Sequence, residues 1–503
     1  MCGIAAAWGQ ADDETVVRAI MDDLVHRGPD ASGSYVSARG NGMLGHRRLS
    51  IMDPGGGHQP IRSGDGRRAV IANGEIYNFP DVRPELEARH QFRSLSDSEA
   101  ILHLYEEFGP SAVRHLDGMW AFALADGEDL FVARDPLGIK PLYMGRRNGS
   151  LVFASELKAL AGRVDDVREF PPGTSWHSTH GWERFYEVPE PPVEEDSVEG
   201  WCARLRTVMD DCVARQRMSD VPVGAFLSGG LDSSILAALL RRHAGELHTF
   251  AVGLEGSGDL AAARMVAEHL DTIHHEHVLT REDIAAALPE IVWHLESFDQ
   301  DLVRSAVPCW FVARLAREHV TVALTGEGAD ELFAGYDYHA GIEDHDVLRH
   351  ELRRSVQALH DVNLQRVDRM TMAHSLEGRP PFLDDAVIDL AGRIPTQLKL
   401  PDGDKEKWIL RMAFEDLLPE EIVWRKKEQF DQGSGMAEVA AEMAGTCMSE
   451  EQAQAYRERW PDVRLRSTEE CFYHHLLTTS LEHPEPVLAN VARWTDRPAG
   501  VPG

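Results

Sequence analysis

Basic residues are scarce in this chain: 51 Lys and Arg stand against 83 Asp and Glu over 503 residues, a formal net charge of −32. A nucleic-acid partner needs clustered cations for its phosphates, so none is expected. Cysteine is scarce too. The six, Cys2, Cys202, Cys212, Cys309, Cys447 and Cys471, are scattered without a Cys-x-x-Cys pair, which excludes a disulfide framework and a zinc site. No uninterrupted apolar run approaches the ~18 residues of a membrane span. The N-terminus lacks a basic stretch followed by an apolar one, so no secretory signal is expected. These absences leave a cytoplasmic enzyme as the expected class, with no membrane partner. Of the 24 histidines, His274, His275, His277, His474 and His475 cluster in sequence, but their spacing fits no metal-ligand pattern, and they are expected at the surface.

Two textures divide the length, and 503 residues suggest two to four domains. Up to about residue 190, short apolar runs alternate with Gly, Asp and Asn turns: 68–72, 120–125, 130–133 and 151–154. This predicts antiparallel sheets, interrupted by helices such as 97–108. The segment Val188-Pro189-Glu190-Pro191-Pro192-Val193-Glu194-Glu195-Asp196 has the composition of an extended linker. Beyond it, buried strands at 223–227, 248–252 and 320–324 alternate with helices at 234–242 and 261–270, the pattern of a parallel α/β sheet. The expected class is therefore α+β, with antiparallel sheets between helices, followed by α/β with helices on both faces of a parallel sheet. The expected division is 1–190 and 200–503.

Two features carry chemistry. Cys2 becomes the leading residue if Met1 is removed. It then has a thiol beside an α-amine of pKa ~7.7–8.0, which can act as its general base. Further on, Ser228-Gly229-Gly230-Leu231-Asp232-Ser233-Ser234 follows a predicted strand and opens a helix. Two glycines permit close backbone approach, and N–H groups, hydroxyls and the helix N-terminus make an anion cradle suited to pyrophosphate. No lysine follows the glycines, so it is not a Walker loop.

That loop resembles the pyrophosphate loop of ATP pyrophosphatases. The first half carries a matching set: His26-Arg27-Gly28-Pro29-Asp30, Gly45-His46-Arg47-Arg48-Leu49-Ser50-Ile51, Asn73-Gly74-Glu75-Ile76-Tyr77-Asn78, Ser96-Asp97-Ser98-Glu99, and the run from Arg134 to Tyr143. With Cys2 these resemble class II glutamine amidotransferases, a domain of N-terminal-nucleophile type. From residue 1 to about 440 the whole resembles the glutamine-dependent asparagine synthetase family, with the remainder contributing little.

The resemblance implies roles. Cys2 attacks glutamine, and the Asn73 side chain and Gly74 N–H face the oxyanion. Arg48, Leu49, Ile51, Glu75 and Asp97 bind glutamine, Arg48 at its carboxylate and the two acids at its ammonium. Leu227, Ser228, Gly229, Gly230, Leu231, Asp232, Ser233, Ser234, Val252, Thr325 and Gly326 bind ATP. Asp232 and Asp330 hold Mg²⁺. Glu327 in Leu324-Thr325-Gly326-Glu327-Gly328-Ala329-Asp330-Glu331 acts as base, and Lys427 in Trp424-Arg425-Lys426-Lys427-Glu428-Gln429-Phe430 neutralises phosphate charge. The partners implied are glutamine, ATP and a carboxylic acid, most simply aspartate; a homodimer is the family expectation. Where the family commonly has Arg-Ala-Ser-Thr-Pro, this chain has Arg304-Ser305-Ala306-Val307-Pro308, and the run Glu377 to Asp384 is expected near the acceptor. Three readings stand: asparagine synthetase, the same machinery acting on another acid, and a silent glutamine or nucleotide sensor.

Overall fold

The computed structural model describes residues 2–9, 13–401, 405–427, 433–493 and 495. Its first half is four layers deep. One six-stranded sheet has the order Asp165–Glu169, Tyr143–Arg147, Ser150–Ala154, Cys2–Trp8, Gly42–Arg48, Ala31–Val36. The other runs Gly181–Arg184, Thr174–His177, Asp129–Arg134, Gly118–Asp126, Arg68–Ile76, Ile61–Arg62. Every pairing is antiparallel.

Strand alternation explains the layering. In Cys2–Trp8, Ile4 and Ala6 face inward onto Ile71, Ala123 and Val132 of the second sheet. Ala5 and Ala7 face out, under Val17, Ile20 and Leu24 of and beyond the helix Asp13–Asp23. The helix Glu99–Phe108 covers the second sheet with Ile101 and Leu104 against Val70, Ala72 and Trp120. A central strand between two cores must be apolar on both sides, and the seven residues of Cys2–Trp8 are all buried.

In the second half a five-stranded parallel sheet has the order Ile273–Leu279, His248–Leu254, Val223–Phe226, Val322–Leu324, Glu377–Arg379. The helix Leu231–His243 packs on one face with Ala225 and Leu324, and Gln300–Arg317 covers the other with Phe250 and Ala323. The predicted strands and helices all exist, with ends moved by up to four residues. Thus the 97–108 helix starts at Glu99, because the Asp97 carboxylate instead accepts the Ile76 and Ser98 N–H groups.

Three expectations need correction. Residues past 440, expected to contribute little, are part of the core: Met448, Tyr456, Cys471, Tyr473 and Leu477 share it with Ile284, Leu288 and Phe311. His474 is not at the surface but fully buried, its Nδ1 2.9 Å from the Tyr456 hydroxyl, because it lies on the inner face of the helix Thr468–Ser480. The linker is irregular but packed: Val188 is buried, and its carbonyl accepts a 2.8 Å hydrogen bond from Arg353. Among the described residues, no helix is long and apolar enough to cross a membrane.

Candidate active site

Two reactive centres are built on different scaffolds. The first lies where the strand from Cys2 runs beside Arg48 and near Asn73. Cys2 is 6% exposed, and its backbone nitrogen donates to Asn73 Oδ1 at 2.8 Å. That bond fixes the amide's orientation and leaves Asn73 Nδ2 buried with no protein partner. A buried donor without an acceptor is costly, and a forming oxyanion beside the thiol would satisfy it. Gly74 has φ +149°, and a Cβ there would lie 2.0 Å from the Met119 carbonyl oxygen, so only glycine fits this close strand crossing. Burial pushes the Cys2 thiol's pKa up, opposed by the positive chain terminus, the Leu49 N–H and Arg48.

Around the thiol, Arg48 donates to the Met52 and Asp53 carbonyls at 3.0 and 2.7 Å, pinning the loop that follows it. Leu49 and Ile51 are buried against Val322 and Met372 of the second half. Glu75 and Asp97 are both buried. Desolvation raises both: Glu75 well above the usual carboxylate range, Asp97 to about 6.

The second half enters this centre. Glu377 and Arg379, both fully buried, were expected near the acceptor. Instead, Arg379 Nη2 lies 3.5 Å from Glu75 Oε1 while its Nε donates to Glu377 at 2.6 Å. The end strand of the parallel sheet carries them toward the Cys2 centre, and Asp384 from the same run pairs with Arg215.

The second centre is an open cleft of about 220 Å³. Leu227, Ser228, Gly230, Leu231, Asp232, Ser233, Val252, Thr325, Gly326, Glu327, Asp330 and Lys427 lie on its wall. Gly229 and Ser234 do not. Gly229 (φ +73°) sits against Ala262, and the Ser234 hydroxyl donates to the Gly230 carbonyl at 2.7 Å, holding the loop's shape. Ser228 and Ser233 hydroxyls lie 3.1 Å apart at the helix start.

Charge in the cleft is finely paired. Lys407 Nζ, overlooked in the sequence because it lies in a run of alternating charges, donates to Asp232 at 2.5 Å and reaches Asp330 at 2.6 Å. Lys427 also pairs with Asp330. Asp330 is thereby held far below the usual carboxylate range despite its burial, whereas burial raises Asp232, whose Oδ1 has no hydrogen-bond partner. An orphaned carboxylate oxygen beside a second carboxylate fits a divalent cation.

Deeper in, Arg366 donates to Glu327 at 2.5 Å; burial still raises this carboxyl above its ordinary value. The Tyr336 hydroxyl donates to Glu331 at 2.5 Å, and Asn363 Nδ2 to the same oxygen at 3.3 Å. Burial raises Glu331 to about 7. Tyr336, Asn363, Arg366 and Lys407 had no sequence signal of their own. Of Arg304–Pro308, Ser305 reaches the cleft, while Arg304 is turned away onto Glu469 at 2.5 Å. Trp424–Lys427 is described, whereas Glu428–Phe430 lies outside the described residues.

A single helix joins the centres. In Asn363–Met372, Asn363 and Arg366 face the cleft while Asp368 pairs with Arg27 at 2.7 Å. Arg27 in turn donates to the Cys2 carbonyl at 3.1 Å. Positions two apart on a helix point about 200° apart, so one element presents charge to both sides.

Comparison with known proteins fits this two-centre layout. Residues 1–171 match the glutamine amidotransferase domain model, and residues 204–343 and 340–495 match that of asparagine synthase. Asparagine synthetase [glutamine-hydrolyzing] of Triphysaria versicolor is 40% identical over 86% of this chain and 78% of its own length. The chain belongs to the glutamine-hydrolysing asparagine synthetase family. The probable asparagine synthetase [glutamine-hydrolyzing] of Schizosaccharomyces pombe is 36% identical over 99% of this chain and 96% of its own. The match reaches residue 495, in agreement with the packed C-terminal helices and beyond the resemblance expected to end near 440.

Proposed function

We propose that this protein makes asparagine from aspartate, ATP and glutamine, releasing AMP, pyrophosphate and glutamate, with residues 1–190 supplying ammonia and 200–503 using it. The observation that carries this reading is the pairing of the two centres through one buried helix, from Arg27 beside Cys2 to Arg366 on Glu327.

At the first centre the Cys2 sulfur attacks the side-chain amide of glutamine. Asn73 Nδ2 donates to the oxyanion, the C–N bond breaks, ammonia leaves, and water hydrolyses the thioester to glutamate. Arg48 takes the substrate carboxylate, and Glu75 and Asp97 take its ammonium. At the second centre the acceptor carboxylate oxygen attacks the ATP α-phosphorus and pyrophosphate departs. Ser228, Ser233 and the N–H groups opening the Leu231–His243 helix hold the phosphates. Lys427 and Lys407 lie where charge accumulates on the leaving group. Asp232 and Asp330 would hold Mg²⁺, which supplies charge neutralisation on the phosphates. Ammonia then attacks the acyl carbon, AMP leaves, and Glu327 receives the proton. Passage inside the protein keeps ammonia from being protonated in water.

A different acceptor acid is the second reading, favoured by the withdrawal of Arg304 onto Glu469. The deciding experiment is a panel of carboxylic acids with ATP and glutamine, scored by pyrophosphate release and product mass. Aspartate is expected to give both; an inert aspartate beside a reactive second acid would replace the first reading with the second.

A further inference from the structure

Buried lysines in this molecule have oxygen partners: Lys407 on Asp232 and Asp330, Lys158 at 2.5 Å from Glu156, Lys140 at 3.5 Å from the Gly378 carbonyl. Lys399 does not. It ends the short helix Thr396–Lys399, is 4% exposed, and has no ion-pair or hydrogen-bond partner among the described residues. Its nearest aid is the Phe333 ring, whose centroid is 6.0 Å from Nζ. Burial and the like charge of Arg349 push the amine down to about 7. A buried cation facing a second cation is unfavourable unless an anion joins them.

There is room for one. Lys399 lines a cleft of about 40 Å³, shared with Val188, Pro191, Leu332, Arg349 and Arg353. This is a fraction of the 220 Å³ of the nucleotide cleft, so the occupant must be small. The wall's own carboxylates are engaged elsewhere: Glu190 pairs with His350 at 3.3 Å, and Glu331 accepts from Tyr336. Arg353 gives one N–H to the Val188 carbonyl and Arg349 one to that of Pro191, leaving the other donors of each guanidinium.

We propose that this cleft binds a small tetrahedral oxyanion of the phosphate class, held by Lys399, Arg349 and Arg353. Such an ion would tie the linker at Val188–Pro191 to the helix His345–Gln357. It would also lie behind the short helix Ala329–Phe333, whose other side carries Asp330 into the nucleotide cleft.

The test reads Lys399 itself. The full chain is pulse-labelled with acetic anhydride at pH 7.5, and Lys399 acetylation is quantified by peptide mass spectrometry against exposed Lys426. Millimolar inorganic phosphate or sulfate is expected to lower Lys399 labelling about three-fold, the effect at pH 7.5 of raising an amine's pKa from about 7 by about one unit. Protection should persist in Ser233→Ala, which alters the nucleotide loop, and disappear in Arg349→Gln and Arg353→Gln. Labelling unchanged by either anion overturns the proposal, as does protection that survives both arginine variants. Protection by acetate but not by phosphate overturns the tetrahedral assignment.

Discussion

Cys2 and Asp232 stand at the two centres, and their settings are opposite. Cys2 sits in the middle of a sheet, nearly sealed, with its partners fixed by strand register and one donor left vacant for an oxyanion. Asp232 sits where a strand gives way to a helix, in an open cleft, its carboxylate matched by the Lys407 ammonium. The difference follows from what each must handle. Covalent attack on an amide needs atoms held in place and little net charge. Phosphoryl chemistry must take in a polyanion and then release pyrophosphate, so charge is balanced by side chains that can exchange partners.

The largest test of this contrast is Cys2→Ala. Glutamine-supported amide synthesis should fall by at least about 10⁴-fold, while synthesis from added ammonium persists; loss of both would show that the centres are not separable. Asp232→Asn should act in mirror image, lowering pyrophosphate release by about 10²–10³-fold with glutaminase activity intact, measured as glutamate formed without ATP.

Asp368→Asn probes the join. Breaking a buried pair costs about 3–5 kcal/mol, so the variant should melt earlier and hydrolyse more than one glutamine per amide made; a ratio still at one would remove the helix from the coupling scheme. A finer distinction is pH. With Asp97 titrating at about 6, its carboxylate is present above that pH and lost below it. The KM for glutamine should therefore rise as pH falls through 6, while the KM for ATP stays flat, and Asp97→Asn should abolish that rise. The smallest effect separates two neighbouring serines. Ser234→Ala should cost about 1 kcal/mol of stability without changing the KM for ATP, whereas Ser233→Ala should raise that KM.

How much of this was legible beforehand depended on whether a residue's role was local. The Ser228–Ser234 loop could be read because a strand, two glycines and a helix start are consecutive. The alternation in Cys2–Trp8 and its neighbours gave layered sheets for the same reason. Lys407, Arg366 and Asn363 could not be read: each lies far along the chain from its partner, and nothing in its own neighbourhood distinguishes it from a surface polar residue. Glu377 and Arg379 were noticed but placed at the wrong centre. Their strand lies at the end of the parallel sheet, and which molecular surface that end meets is decided only when the halves pack.

The chain's order of residues determined by itself the strand–Gly-Gly–helix turn at Ser228–Ser234 and the two kinds of sheet, since short-range sterics and periodicity specify these within a few residues. The tertiary structure decided which cations neutralise which carboxylates, how the Asn363–Met372 helix spans from Arg27 to Glu327, and that Lys399 is buried with no carboxylate partner among the described residues. Electrostatic pairing depends on distance in space and on the exclusion of water, and neither is fixed until the layers close on one another.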